Sequence, residues 1–207
     1  TVTVTSRNLA GLPALVEEML NRQLPFSLNF YRANSNRSEA DNNFALTPDS
    51  AELIRVMRTV LQVIADNPPA YPLVNSLGDR AWFSAPHMQP CAVGSSFLVF
   101  SPRGIHKCPM DLGHVVCSSS DADPLDKIRL DTQGLINLNV QDKTPCCDCQ
   151  WRYWCAGGCP VATYNTYQSY AVSSPYCQVY KSIFPEILHL ETLRQQYYEE
   201  KIPQYCD

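Results

Sequence analysis

The apolar positions of the first ninety residues switch between two periods. Thr1-Val2-Thr3-Val4-Thr5 is β-branched at every position and predicts a buried strand. After the polar, turn-like Ser6-Arg7-Asn8, apolar residues recur at helical spacing over 9–22, with Leu12, Leu15, Val16, Met19 and Leu20 on one face. Residues 26–31 alternate and predict a second strand. The stretch 33–45 is polar and Asn-rich, a long loop. Thr47-Pro48 opens the next helix, with Thr47 as N-cap and Pro48 in the first turn. It runs to about residue 65, with Leu53, Ile54, Met57, Val60, Leu61 and Ile64 inward. Pro68-Pro69 separates it from a short candidate strand at 71–74. The order is βαβαβ, which predicts a parallel sheet with right-handed crossovers and two open edges. At the far end, residues 184–201 predict a terminal helix packed through Ile187, Leu188, Leu190 and Leu193. Its Glu-rich end reads as a solvated face.

Composition narrows the class. The chain has 207 residues, enough for one large domain or two small ones, and is 45% hydrophobic and 17% charged, which excludes disorder. A net charge of −4 argues against a non-specific nucleic-acid binder, which needs a basic face. No run approaches the roughly 18 apolar residues of a membrane span, and no signal peptide is visible, so the expected compartment is cytoplasmic. The first strand starts without a lead-in or an initiator Met, and the sequence reads as a fragment.

Ten cysteines change the picture most. A disulfide scaffold would be smaller, secreted and poor in core, which leaves structural zinc and iron–sulfur, both served by soft thiolates. Cys91, Cys108 and Cys117 are loosely grouped, and Cys146, Cys147, Cys149, Cys155 and Cys159 are dense. Cys177 and Cys206 follow singly. Cys146 and Cys149 form a C-x-x-C turn that points two thiolates at one centre. Gly157 and Gly158 remove side chains beside Cys155 and Cys159, which admits backbone N–H groups to bridging sulfides and lets the two thiols diverge. Trp151, Tyr153 and Trp154 can exclude water from a redox centre or serve as ordinary core.

The run C-x2-C-x5-C-x3-C formed by Cys146, Cys149, Cys155 and Cys159 is preceded by Cys91, Gly104 and Cys108 and followed by Cys177. This pattern resembles the SPASM domain of radical S-adenosylmethionine (SAM) enzymes. It departs from the family in one spacing: Cys108 follows Gly104 after three residues rather than four, which puts the local hairpin in question. The resemblance implies two auxiliary [4Fe–4S] clusters. Cys91, Cys108 and Cys159, with Cys117 as fourth ligand or an iron left open for substrate, would hold the first. Cys146, Cys149, Cys155 and Cys177 would hold the second. Cys147 is expected to be a spectator, and Cys206 has no assigned role.

The resemblance extends to the Thr3–Asn8 and Ser27–Arg32 segments. It implies an α/β fold: the second half of a radical SAM partial (β/α) barrel over 1–85, a small cysteine-rich SPASM auxiliary-cluster domain over 86–181, and a C-terminal helix over 182–207. The family's C-x3-C-x2-C motif for the catalytic cluster is absent, and by the resemblance it belongs upstream of Thr1. S-adenosylmethionine and a third [4Fe–4S] cluster are therefore expected only with a missing N-terminal half, and these residues alone should not be active. The implied partners are a peptide or protein substrate, whose side chain loses a hydrogen to a 5′-deoxyadenosyl radical, and a reductant such as flavodoxin or ferredoxin. Chemistry gathers at strand C-terminal ends in such barrels, so Asn8 and Arg32 could face S-adenosylmethionine. Asn8 reads equally as a helix cap, and Arg32 as a solvated charge.

The four histidines, His87, His106, His114 and His189, lack ligand spacing, and only His106 stands near a thiol, Cys108. Sulfatase-maturing relatives carry an Asp directly after the Cys of the Gly element. Here Pro109 stands there, and Asp111, two further on, is the one weak catalytic candidate. The rival readings are a zinc-stabilised peptide-binding module and a stand-alone electron-transfer module.

Overall fold

The computed structural model describes residues 1–33, 43–79 and 81–200. Most of the Asn-rich stretch and Cys206 lie outside these. The described chain mixes helices with two small sheets and divides into two units. One comprises Thr1–Tyr31, Ala45–Ser84 and the chain from Gln178 onward. The other is Ala85–Cys177 together with Arg32 and Ala33.

In the first unit, β1 (Val2–Val4) and β2 (Leu28–Phe30) pair in parallel, Val2 opposite Leu28 and Val4 opposite Phe30. Between them a 3-10 turn at Leu9–Gly11 runs into α1 (Leu12–Asn21), which buries Leu12, Val16 and Leu20. Leu15, expected inward, is 43% exposed. The helix ends in a Schellman arrangement: Gln23 is left-handed (φ 56°), its N–H donates to Leu20 O, and Leu24 N–H donates to Met19 O.

Helix α2 (Ser50–Asp66) buries Leu53, Val56, Met57, Val60, Leu61 and Ile64. Its N-cap is Asp49 and not Thr47. The Asp49 carboxylate accepts from the N–H groups of Ala51 and Glu52, both at 3.0 Å. Pro48 disfavours helical backbone at the residue before it, and Asp49 is itself extended (ψ 138°), so the first turn starts after both.

The strand expected at 71–74 does not form; Val74–Leu77 is instead the short helix α3. On β2, the Phe30 N–H donates to Asp79 Oδ1 (2.9 Å), and Tyr180 Oη donates to Asp79 Oδ2 (2.6 Å). A carboxylate thus satisfies the backbone group that a third strand would have paired. The terminal helix, α7 (Cys177–Glu199), starts well before residue 184 and carries Pro185 inside it. Its buried residues are Val179, Tyr180, Ile183, Phe184, Ile187 and Leu190, whereas Leu188 and Leu193 are 37% and 42% exposed. Phe184 stacks on Tyr180 and meets Phe83 edge-on.

The second unit has little regular structure. β3 (Val99–Ser101) and β4 (Gly104–His106) form a hairpin closed by Pro102 and Arg103. At Gly104 (φ 134°) a Cβ would stand 2.6 Å from Cys117 O, so the hairpin admits only glycine there. The shortened spacing to Cys108 leaves this hairpin intact. Short helices follow: α4 (Pro124–Leu130), α5 (Arg152–Cys155) and α6 (Pro160–Tyr167). Buried Lys107 organises one loop, with Nζ 2.7 Å from the Asp131 carboxylate and donating to the carbonyls of Asp131 and Gln133 at 2.8 and 2.9 Å. Among the described residues no helix is long and apolar enough to cross a membrane.

Candidate metal centre

The chain places seven cysteines in two sets, both in or at the edge of the second unit. Cys108 lies just beyond β4, in a turn where Asp111 N–H donates to its carbonyl and the Met110 N–H reaches its sulfur. Cys159 immediately precedes α6, and its carbonyl accepts from Thr163 N and Thr163 Oγ1. Cys91 sits in a loop pinned by Asn137, whose Nδ2 donates to Cys91 O (2.9 Å) and Val93 O (3.1 Å) and reaches Cys91 Sγ at 3.9 Å. Cys108 and Cys159 share an apolar cluster with Val93, Leu135, Val161 and Ala162, and Cys91 packs against it. Burial pushes the Cys108 thiol up to about 11, and negative charge on Cys159 and Cys91 pushes the same way.

The second set is built by the dense motif and the start of α7. Cys146 opens a 3-10 turn closed by Cys149, whose N–H donates to Cys146 O. Cys155 ends α5, and Cys177 begins α7. Burial pushes Cys146 up to about 12, with Cys155, Cys177 and Cys149 adding to the rise. Burial likewise lifts Cys155 to about 11, opposed by the Gly157 N–H and reinforced by Cys177 and Cys149. Ala156, Gly157 and Gly158 all have positive φ (45°, 77° and 75°), which carries the chain from Cys155 in one set to Cys159 in the other.

Thiols this buried are protonated at neutral pH, so metal uptake would release their protons. Among the described residues, no three His, Cys, Asp or Glu side chains converge closely enough to hold one metal ion. A four-iron cluster asks for something else. Each thiolate ligates its own iron, so the thiols surround a larger body instead of meeting at a point. Cys108, Cys146 and Cys159 are buried and Cys91, Cys149, Cys155 and Cys177 half-buried, a donor set of soft sulfur whose chemistry suits such clusters.

Other expected site residues fall elsewhere. Cys117 pairs with Ile105, packs on Ile105 and Ile128, and has Asp121 and Lys127 as its charged neighbours, apart from the first set. Cys147 is half-buried, with Sγ near its neighbour Asp148. His106 is fully buried and uses both ring nitrogens: Nδ1 faces His114 O (2.8 Å) and so carries the proton, and Nε2 accepts from Ser101 Oγ (2.7 Å). It has no nitrogen left for a thiolate. Trp151, Tyr153 and Trp154 are half-buried, and Tyr153 packs on Val140, Cys146 and Ala156. Asp111 lines a cavity of about 470 Å³ with His114, Leu135, Val161, Tyr164 and Tyr170.

Asn8 does not cap a helix with its side chain. Its Oδ1 accepts from Thr5 N and Thr5 Oγ1, and its Nδ2 donates to Thr3 O, which ties off β1. Arg32 is buried and is no solvated loop charge. Sequence reasoning passed over Asn137 and Lys143. The available signal for Lys143 was its isolation: it is the sole basic side chain over 130–151, three residues before the Cys-x-x-Cys.

In comparisons with protein families, curated proteins and solved structures, nothing matches the chain.

Proposed function

We propose that this chain is the auxiliary-cluster part of a radical S-adenosylmethionine enzyme that modifies a peptide or protein side chain, and that it holds two [4Fe–4S] clusters. One observation carries the reading. The thiols whose charge acts on Cys108 include Cys159 and Cys91, and those acting on Cys146 include Cys155, Cys177 and Cys149, which supports the grouping that the SPASM resemblance implies for these seven. When bound, such clusters supply one-electron transfer and, where a thiolate is missing, an iron that a substrate can ligate.

The chain's own contribution is placement and shielding. The Gly104 hairpin and the Cys108 turn set one ligand, the Asn137 amide fixes the Cys91 loop, and the left-handed run at 156–158 sends Cys155 and Cys159 to different centres. Backbone N–H groups of Met110 and Gly157 already point at sulfur, which stabilises the thiolate form that a metal requires. Tyr153 and its apolar neighbours cover Cys146. The first set offers three thiolates, one short of four.

The test is iron, acid-labile sulfide and zinc per chain after anaerobic purification and reconstitution. The expected result is about eight iron and eight sulfide, two Cys-ligated four-iron clusters. Cys146→Ala should then lose about half of the iron. Zinc in near-integral amount with little sulfide would replace this reading with a structural zinc module.

A further inference from the structure

Lys143 is the second unit's least expected buried group. It is 2% exposed, yet among the described residues it forms no ion pair with a carboxylate. Its Nζ donates to Ala156 O at 2.9 Å. Its aliphatic stem lies across Gly157, where a Cβ would fall 2.6 Å from Lys143 Cδ and 3.1 Å from Nζ. Gly157 is therefore small because Lys143 occupies the space over it. Ala156 and Gly157 are two of the three residues between Cys155 and Cys159, the step at which the chain passes from one thiol set to the other. The ammonium rests on the bridge between the two sets. Cys146 and Cys155 of the second set and Cys91 and Cys159 of the first all act on it electrostatically.

A buried cation without an anionic partner is costly. Lys107, the other buried lysine among the described residues, meets that cost with Asp131. For Lys143 the groups that would carry compensating negative charge are cysteines of both sets, as metal-bound thiolates. Once thiolates ligate metal, their negative charge is fixed in place.

Resting on the cluster reading above, we propose that Lys143 is a shared counter-cation for both auxiliary centres, a positioning charge that raises the reduction potential of each. A fixed positive charge stabilises the more negative, reduced form of a nearby cluster, and local charge is among the protein's controls on potential. One residue would then shift both centres together, which keeps their potentials in step for electron transfer between them.

The experiment compares the reconstituted chain of 207 residues with its Lys143→Met variant, which keeps the stem and removes the charge. The readouts are metal content and a redox titration of each cluster followed by electron paramagnetic resonance. The expected result is unchanged iron and a downward shift of both potentials, each at least tenfold in the reduction equilibrium, or about 59 mV for one electron. Full iron content with both potentials unmoved overturns the inference. A shift of only one potential overturns the shared role. If Lys143→Met fails to hold iron, Lys143→Arg decides: recovered clusters support a requirement for charge, and continued loss assigns Lys143 to the fold alone and overturns the inference. Failure of the cluster reading is seen separately, as zinc in place of iron in the unsubstituted protein.

Discussion

In the first unit the buried side chains are apolar and sit mainly on β1 and β2 and, at helical spacing, on α1, α2 and α7. In the cysteine-bearing unit burial takes in Arg32, His106, Lys107, Lys143, Thr163 and Ser174, which are all of the buried polar or charged side chains among the described residues. The first is an ordinary hydrophobic core, assembled from contiguous faces and finished by caps. The second spends much of its interior on groups that hold loops: a lysine on two backbone carbonyls and a carboxylate, a histidine between a serine and a carbonyl, an asparagine on two carbonyls. Its apolar clusters are small and include the thiols themselves. Units with so little apolar core commonly rely on metal for stability. On the proposed cluster reading, metal ligation and loop geometry are expected to be inseparable in the second unit and unrelated in the first.

The largest expected effect breaks the molecule along that line. Removing metal by chelation should strip hydrogen-exchange protection from most backbone amides of 85–177 while the amides of α1 and α2 keep theirs. Equal loss of protection in both units would show that the second is not metal-dependent. Next, Lys107→Met should destabilise the second unit by about 3–5 kcal/mol, the cost of breaking a buried ion pair from one side. It also removes an acid dependence. Burial alone would raise the Asp131 carboxyl, but hydrogen bonds from Lys107 and Gln133 prevail and hold it below its ordinary value. A depressed carboxylate stabilises fully above its unfolded pKa, about 4, and loses that contribution as pH falls through the folded value. The melting temperature of the second unit should thus drop below about pH 4 in the parent and respond less in Lys107→Met. On the other side of the comparison, Met57→Ala, at a fully buried position of α2, should cost about 3 kcal/mol in the first unit and leave iron content unchanged.

The same contrast explains what could be read from the residues. Periodicity placed β1, β2, α1 and α2 because each is an amphipathic element whose buried face is local. It misplaced whatever depended on a distant partner. Residues 71–74 had the composition of a strand, but Asp79 and Tyr180 meet the need at β2 that would have drawn a strand there. The pattern starts the terminal helix at residue 184, yet the packing of Val179, Tyr180 and Ile183 extends α7 back to Cys177. Cysteine spacing suggests a grouping of the thiols, and the electrostatic neighbours of Cys108 and Cys146 fall within that grouping. It could not anticipate that Cys117 bridges to Ile105 and packs in a different apolar cluster from Cys108 and Cys159, or Lys143, whose position is visible only once Gly157 is seen beneath it.

The smallest effect tests a boundary inside the well-read unit. Both Thr47 and Asp49 are acceptable caps by residue type, and Thr47 has the advantage of preceding a proline. The structure favours Asp49 for a geometric reason. Its extended backbone aims the carboxylate at two N–H groups of the first turn, and that negative charge also lies at the positive end of the helix. Asp49→Ala should therefore lower the stability of the first unit by about 1 kcal/mol in urea unfolding, while Thr47→Ala changes it by less than about 0.5 kcal/mol. Neither should alter iron content. A larger loss from Thr47→Ala would move the start of α2 back to Pro48. Loss of iron from Asp49→Ala would show that the two units do not respond independently.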